Sequence, residues 1–434
     1  MGLRGVWGGY NRRIRALTAR PGVRALLENF ASLSAVQVLS YLFPLITTPY
    51  LTRALGAERF GLAAGAASFA GLFVYLTNYG FGITAVRQIS VHRHDLHRVS
   101  AIAGAILSIK AALLLFGFGV FVLVVSLTPK LHGEAGLYLL MFGTVAGEML
   151  YPQWLFQGLE KMKLISILNA VGKALTFLLI VLLISQPDDY ALYAGVLSAV
   201  QIAVGLISLN AARRAGIRFP FPSRSEALAQ LREGWLPFVS AISISFYTQS
   251  RLFIFSLFAA NTILGYYAFA DKASGIVQIF PIGTLMAAVL PRLTFMYSQN
   301  PARAREMFNK FQRITLLYLI IALPVLALFA NEIIYLLAGE NFPESVLSFR
   351  VQLLAVFFAL ANTFRVYYLI AAGRYKVFTL IHSAGSAAGV TMMLAIIPHF
   401  SYLGMALSAA FTEGFIFALT SWQLRTKIDA PAAV

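Results

Sequence analysis

The 434-residue sequence predicts an all-α polytopic membrane protein with about twelve transmembrane helices in two six-helix lobes. Composition is the first observation behind this prediction: hydrophobic residues make up 59% of the chain and charged residues only 12%. An ordinary soluble domain has about 25% charged residues. The second observation is that the apolar residues form long runs, and the third is that basic residues gather between alternate runs. The chain has no cysteine, which excludes disulfides and cysteine-ligated metals.

Twelve segments are long and apolar enough to cross the hydrocarbon core, which requires about 20 residues. They are 30–51, 61–83, 99–128, 137–157, 164–185, 191–211, 235–259, 262–290, 314–337, 347–371, 377–398 and 402–424. The first is longer than the apolar core of a cleavable signal peptide, about 7–15 residues, so we expect it to be retained. The sixth and eighth segments contain many small residues, which lowers their hydrophobicity. The predicted number of spans therefore ranges from roughly eleven to thirteen.

The distribution of basic residues predicts the orientation, because Lys and Arg are retained on the cytoplasmic side of a membrane. With the N-terminus inside, 25 of the 34 Lys and Arg residues lie in inner segments, and only Arg53, Arg59 and Lys130 lie in outer ones. We therefore expect both termini to be cytoplasmic in a multi-pass protein. The net charge of +17 follows from this topology, so no nucleic-acid partner is predicted.

The longest inner loop, residues 212–234, divides the spans into two sets of six. The predicted organisation is a basic cytoplasmic N-terminus (1–29), a first six-helix lobe (30–211), a cytoplasmic linker (212–234), a second six-helix lobe (235–424) and a cytoplasmic tail (425–434). A weak repeat supports this division, since RFGLAAG (59–65) aligns with ILGYYAF (263–269) and places Gly61 opposite Gly265. Two repeated bundles around a central site are a common transporter plan.

Ionisable residues within the spans are the main functional signal, because each costs about 2.5–3.5 kcal/mol at the centre of a membrane helix. The predicted substrate-binding cations are Lys272, Arg251, Arg365, Lys110 and Lys173. Three carboxylates at similar depth are candidates for binding a coupling ion or for pairing with these cations: Asp271, Glu148 and Glu413. Structural pairing or reaching to the membrane surface would explain some of these residues, but five cations exceed three anions.

Adjacent Asp271 and Lys272 are about 100° apart around a helix, so they cannot both face one partner. For the whole set we favour a water-filled cationic cavity near the middle of the bilayer. Such a cavity suits an anionic headgroup whose lipid tail stays in the bilayer, such as a polyprenyl diphosphate carrying sugars. Arg and Lys are both suited to bind the diphosphate. Candidates to contact sugar hydroxyls are Tyr247, Gln249, Tyr266 and Tyr367.

Motifs of soluble enzymes are absent from the sequence, which contains no P-loop, HExxH or GxSxG pattern. The residues His92, His94 and His97 lie in a basic loop, where a solvated role is favoured over metal binding. No cofactor and no metal is predicted. Without a nucleotide site, transport would be driven by an ion gradient or by the gradient of the substrate.

The stretch YPQWLFQGLEKMK (151–163) predicts the inner end of the fourth span, with Trp154 in the interfacial aromatic belt. A salt bridge is the favoured role for Glu160. With PLITTPYLTRALGAERFGL (44–62), YGFGITAVRQIS (79–90), GYYAFADK (265–272) and AAGRYK (371–376), this stretch resembles O-antigen-type polysaccharide flippases of the multidrug/oligosaccharidyl-lipid/polysaccharide exporter superfamily. The resemblance extends from about residue 25 to residue 425.

This resemblance implies a twelve-helix fold that opens alternately to either leaflet of a bacterial inner membrane. It also implies export of an undecaprenyl-diphosphate-linked oligosaccharide, with the bilayer and other polysaccharide assembly proteins as partners. Members of the family have cationic residues in their lumen, and the residue of this chain to which the resemblance assigns that role most directly is Lys272, in the ADK stretch.

Three alternatives stay open: a cation-coupled small-molecule or drug exporter of the same superfamily, a membrane-embedded glycan polymerase or ligase, and a non-transporting scaffold. The short outer loops argue against the polymerase, and the excess of cations argues against the scaffold.

Overall fold

The computed structural model describes residues 21–279 and 282–426, and every regular element in these ranges is helical. The predicted N-terminal segment up to residue 20, residues 280–281 of the predicted eighth span, and the tail from residue 427 lie outside the described residues. Within them, seven helical segments are long and apolar enough to cross a membrane. The chain is a multi-pass membrane protein, while the count of twelve spans and the orientation stay predictions.

The first half of the chain, up to the predicted linker, begins with one long bent helix. Its helices are α1 (Pro21–Asn78), α2 (Phe81–Val91), α3 (Leu96–Leu127), α4 (Pro129–His132), α5 (Ala135–Leu150), α6 (Gln153–Gly158), α7 (Met162–Leu183) and α8 (Tyr190–Arg214). The first two predicted spans both lie in α1, which changes direction at Gly56 (φ 70°, ψ 168°). Glycine adopts this backbone conformation without steric cost. We call the end predicted to face the cytoplasm the inner end and the opposite end the outer end.

The second half contains α9 (Arg224–Thr248), α10 (Ser250–Phe258), α11 (Asn261–Ile279), α12 (Ile282–Gln299), α13 (Pro301–Leu328), α14 (Ala330–Ala338), α15 (Pro343–Ala371) and α16 (Tyr375–Thr426). The last two predicted spans both lie in α16, which is interrupted at Ser401 (φ 50°, ψ −127°). The predicted seventh span is shared between α9 and α10, and the predicted ninth between α13 and α14.

Capping side chains fix the starts of several helices at the inner end. The Asp95 carboxylate accepts a hydrogen bond from the backbone N–H of Arg98 at the start of α3, which lowers the pKa of Asp95. Ser223 and Glu226 form a reciprocal capping box, so α9 begins at Arg224, inside the predicted linker. Asn300 caps α13 and is followed by Pro301, a residue favoured in the first turn of a helix.

The predicted fourth span is broken at its inner end. Proline has no backbone N–H and disfavours helix continuation, and the break between α5 and α6 falls at Pro152. The short α6 packs on α2, and Trp154 is buried inside the protein with only 5% of its surface exposed. Our expectation that Trp154 lies in the interfacial belt was therefore wrong. Glu160 forms the expected salt bridge, with 2.5 Å between its carboxylate and the Arg93 guanidinium.

The two halves meet where α1 crosses α11. A Cβ atom on Gly61 would lie 2.8 Å from the Cα of Gly265, and a Cβ atom on Gly265 would lie 2.8 Å from the carbonyl carbon of Ala57. Side chains are thus excluded at both positions, and the helices touch backbone to backbone. The two glycines that the weak repeat aligned are therefore direct neighbours.

Further along α1 the contact with the second half continues through polar groups. The Ser68 hydroxyl donates to the carbonyl of Gln249 and accepts a 3.1 Å hydrogen bond from the backbone N–H of Phe253. At the inner end, the Tyr79 ring stacks on Phe238 with 4.4 Å between ring centroids. Contacts between α1 with its following residue Tyr79 and the second half thus extend from the outer end of the protein to its inner end.

Candidate functional site

A charged cluster in the second half joins three residues from three helices. Arg251 of α10 lies 3.6 Å from the carboxylate of Asp271 on α11, measured from Nη2 to Oδ1. Glu413 of α16 is close enough to attract Arg251 and is hydrogen-bonded to the hydroxyl of Tyr247. Arg251 also donates through Nε to the carbonyl of Thr248, 3.2 Å away. One cation therefore faces two carboxylates at this site.

A small cavity adjoins this cluster, with a volume of about 80 Å³. Arg251, Asp271 and Glu413 all line it, and further polar side chains complete the wall: Thr248, Ser274, Gln278 and Gln352. The side chains of Arg251 and Asp271 are 21% and 27% exposed. The arrangement is a polar chamber with carboxylate, hydroxyl and amide oxygens, large enough for a few water molecules or one small ion.

Lys272 faces away from this chamber although it is adjacent to Asp271. Its ammonium group lies 5.9 Å from the centre of the Phe60 ring on α1, and Phe60 stacks on Phe269 with 4.8 Å between centroids. Asp271 thus faces Arg251 while Lys272 faces the first half, which confirms that the two do not share a partner. Lys272 is placed at the boundary between the halves.

A second charged pair lies within the first half. Lys110 of α3 is only 1% exposed, and its ammonium group donates to the main-chain carbonyl of Glu148 on α5, 3.3 Å away. In an uninterrupted helix this carbonyl would accept from the N–H four residues later, but that residue is Pro152. The Glu148 carbonyl therefore accepts instead from the backbone N–H of Tyr151, 3.3 Å away, and from Lys110, which is a second donor.

The Glu148 carboxylate has separate partners. Its Oε2 atom accepts a 3.0 Å hydrogen bond from the Gln201 side-chain amide, and the Asn78 side chain also bonds to it. Lys110 is near enough to stabilise the carboxylate electrostatically without a direct ion pair. The charges of Lys110 and Glu148 are therefore compensated by protein groups from four helices of the first half.

The remaining predicted cations lie elsewhere. Arg365 of α15 donates to the carbonyl of Ala361 at 2.5 Å, and its guanidinium carbon lies 4.2 Å from the centre of the Phe417 ring. It lines a larger cavity near the inner end. Lys173 lies half-buried on α7. The structure thus groups Arg251 with Asp271 and Glu413, and Lys110 with Glu148, but places Lys272, Arg365 and Lys173 apart from both groups.

Sequence reasoning did not single out Gln201 or Asn78, and it treated Pro152 only as part of the inner end of the fourth span. A proline removes the helical donor to the carbonyl four residues earlier, which here belongs to Glu148. Tyr247, a candidate to contact sugar, is 6% exposed and bonded to Glu413. The role of the eight charged residues in substrate or ion binding stays a prediction.

Comparisons with known proteins match this architecture. A family model described as "Polysaccharide biosynthesis protein" matches residues 26–297. The chain is 24% identical over 400 residues to the "Putative O-antigen transporter" of Escherichia coli (strain K12), covering 91% of this chain and 95% of that protein. It is 25% identical over 403 residues to the protein of the same name from Shigella dysenteriae, covering 90% and 97%.

Solved structures show the same fold. An inward-facing transporter of the multidrug resistance MATE family in the MOP superfamily superposes with a TM-score of 0.67 at 15% identity, covering 93% of this chain and 100% of that one. The lipid II flippase MurJ in an inward closed conformation gives a TM-score of 0.68 at 11% identity, covering 91% and 87%. These likenesses show that the chain shares its overall fold with these two proteins.

Proposed function

Because the chain belongs to the polysaccharide biosynthesis protein family, we propose that it flips a polyprenyl-diphosphate-linked oligosaccharide from the inner to the outer leaflet of the plasma membrane. The cargo would be an O-antigen or another surface polysaccharide repeat unit. The observation that carries the proposal is the similarity to two curated proteins named as O-antigen transporters, which extends over at least 95% of each of them. Relatives with this name support a membrane transporter rather than an enzyme.

The contact between the halves supports movement by alternating access. Gly61 and Gly265 bring α1 and α11 together backbone to backbone at one crossing. We propose this crossing as the pivot about which the two bundles change their relative angle, while ring contacts such as Phe69–Phe253 and Tyr79–Phe238 separate. The lipid tail would remain in the bilayer while the headgroup crosses between the halves.

Among the predicted cations, Lys272 has the placement best suited to contact cargo between the halves. It lies on α11 and faces Phe60 of α1. Arg251 lines the chamber that Lys272 faces away from, where Asp271 and Glu413 restrain it. We propose that Lys272 contacts the diphosphate directly and that Arg251 joins it when the carboxylates release it. Arg365, Lys110 and Lys173 remain predicted lining residues.

The proposed function is tested by replacing Lys272 and Arg251 with Ala, singly and together. We expect export of lipid-linked repeat units to fall at least about tenfold, since each residue supplies a charge-assisted contact worth about 1.5–3 kcal/mol. Repeat units should accumulate on the inner leaflet while the membrane abundance of the protein is unchanged. Lys376→Ala, at an exposed residue of the inner end, is the matched control. Normal export in the double variant would remove both residues from the pathway.

Placement in the membrane is tested by single-cysteine labelling, for which a chain without native cysteine is well suited. A cysteine at Asp188 should react with an impermeant maleimide applied to intact spheroplasts, because this exposed residue lies in a predicted outer turn. A cysteine at Ser225, in the predicted inner linker, should react only after permeabilisation. The opposite pattern would reverse the proposed direction of transport.

The second-half cluster favours one alternative, a cation-coupled exporter of small molecules. Two carboxylates beside one arginine leave net negative charge next to a polar cavity, as a site for a proton or sodium ion requires. The two functions differ in their cargo. Deletion of the gene should abolish glycan export under the proposed function, whereas the alternative predicts increased drug sensitivity with normal surface glycan.

A further inference from the structure

A second cavity opens at the inner end of the second half, away from the Arg251 chamber. It has a volume of about 500 Å³ and lies among α13, α15 and α16. Its walls contain three arginines from three helices: Arg305, Arg365 and Arg425. Arg305 and Arg425 belong to segments predicted to be cytoplasmic and were not among the predicted site residues.

The charged side chains that line this cavity in the described part of the chain are all basic. None of the described residues that line it is acidic. The guanidinium of Arg425 repels that of Arg365, which is directed instead to the Ala361 carbonyl and the Phe417 ring. Neither Arg365 nor Arg425 takes part in an ion pair among the described residues. Three cations in one concave wall attract an anion, and guanidinium groups match the geometry of phosphate oxygens.

A second observation points to the same cavity. Gln312 lines it and is only 7% exposed. Its amide nitrogen donates to the carbonyl of Ala361 at 3.0 Å, but its Oε1 atom has no hydrogen-bond partner among the described residues. A buried acceptor without a donor costs about 1–3 kcal/mol. A hydroxyl group on the ligand would supply the missing donor.

The aromatic walls indicate that the ligand belongs to a lipid. Four rings line the cavity, from Phe308, Tyr368, Phe417 and Trp422. Trp422 is 59% exposed on the last turns of α16, where a tryptophan at the membrane interface would lie at the level of the headgroups. Cationic groups combined with aromatic rings at this depth fit a headgroup whose acyl or prenyl chain continues into the bilayer.

We propose that Arg305, Arg365, Arg425 and Gln312 form a docking site for a lipid headgroup that carries both phosphate and hydroxyl groups, at the inner leaflet and separate from Lys272 and Arg251. Two lipids share this chemistry, namely a resident phosphatidylglycerol and the diphosphate-linked sugar lipid of the proposed cargo. Identification with the cargo rests on the proposed function, whereas binding of phosphatidylglycerol does not.

The proposal is tested by lipid binding to the purified full-length protein in neutral detergent, measured by native mass spectrometry. The probes are short-chain phosphatidylglycerol, short-chain phosphatidylcholine, an undecaprenyl-diphosphate-linked N-acetylglucosamine and inorganic phosphate. We expect phosphatidylglycerol or the diphosphate lipid to bind at least about tenfold more tightly than phosphatidylcholine, since a charge-assisted hydrogen bond contributes about 1.5–3 kcal/mol. Preference for one of the two identifies the source of the headgroup.

Variants locate the binding to the cavity. Arg425→Gln, at an exposed residue in the last turn of α16, should fold normally and weaken binding about tenfold, and Arg365→Gln should do the same. The matched control is Arg303→Gln, which removes an exposed arginine of α13 that does not line the cavity. Gln312→Met, which removes the acceptor Oε1, should weaken binding of both hydroxyl-bearing lipids.

Three results would overturn the proposal: equal affinity for phosphatidylcholine, inorganic phosphate binding as tightly as the lipids, or equal losses in Arg425→Gln and Arg303→Gln. Failure of the proposed function is distinguishable from these results. If the cell exports its glycan normally without this protein while phosphatidylglycerol still binds through Arg425, the docking site stands and the flippase function does not.

Discussion

The two halves of the protein each bury a lysine or arginine beside carboxylates, but they compensate these charges in different ways. In the first half, Lys110 is 1% exposed and donates to the main-chain carbonyl of Glu148, which also accepts from the backbone N–H of Tyr151. In the second half, Arg251 is 21% exposed, faces two carboxylates and lines a polar cavity. The first arrangement is closed and locally complete, whereas the second is open to a ligand.

The difference shows that depth in the membrane does not by itself assign a function to a charge. Lys110 and Arg251 are both costly residues by sequence. Lys110 is enclosed and bonded to the main chain, so we expect its removal to affect mainly stability. Arg251 lines a polar cavity, so we expect its removal to affect mainly transport. Substitutions in matched pairs separate the two roles.

The largest effect on stability is expected from Lys110→Met. This change leaves the Glu148 carboxylate without its nearby cation and its carbonyl without the lysine donor, so we expect a loss of about 3 kcal/mol, as for other broken buried pairs. Thermal unfolding of the purified protein measures the loss. Adding Glu148→Gln should recover part of it, because the uncompensated charge is removed. An unchanged unfolding temperature in Lys110→Met would contradict a structural role.

A smaller effect is expected from comparing Glu148→Gln with Glu413→Gln. Glutamine keeps the shape and hydrogen-bonding capacity of glutamate, so Glu148→Gln should cost about 1–2 kcal/mol of stability and leave the export rate per molecule unchanged. Glu413→Gln should change stability less but reduce export severalfold, because Arg251 loses one of its two carboxylates. The measurements are unfolding temperature and export per folded protein. If both variants lose export equally, the proposed division of roles is wrong.

The smallest effect is expected from Pro152→Ala. The alanine N–H can donate to the Glu148 carbonyl and so replace the bond that Lys110 makes, a net contribution of about 1 kcal/mol. We therefore expect Pro152→Ala to be less damaging in the Lys110→Met background than in the wild type. A double-mutant cycle on unfolding free energy should give a coupling of about 1 kcal/mol. Strictly additive changes would show that the proline and the lysine act independently.

Most of the helical framework was predictable because hydrophobic length alone sets it. The predicted spans 99–128, 164–185, 191–211 and 347–371 agree within a few residues with α3, α7, α8 and α15. Sequence periodicity gave no indication that α1 and α16 each continue through two predicted spans. Their bends occur at single residues, Gly56 and Ser401, where the local backbone conformation decides the path.

The candidate site was predictable only as a set of costly charges. Asp271 and Lys272 were correctly expected to face different neighbours, because helix geometry fixes the angle between adjacent residues. Which carboxylate lies beside Lys110 depends on how α3 packs against α5, and a single sequence does not contain that information. In the sequence, Arg305 and Arg425 resemble the other basic residues of the predicted inner segments. Only the packing of three helices places them around one cavity with Arg365.

The position of the glycine crossing between α1 and α11 determines how far each end of α1 moves when the two halves tilt relative to each other. Asn78, at the inner end of α1, lies about 25 Å along the helix from Gly61 at 1.5 Å per residue. A tilt of about 20° at this fulcrum would displace the inner end by about 9 Å, close to the diameter of a helix. Ala57, one turn beyond the fulcrum, would shift by only about 2 Å for the same tilt. A tilt about this crossing would therefore separate the inner ends of the halves while α1 near Ala57 stays nearly still.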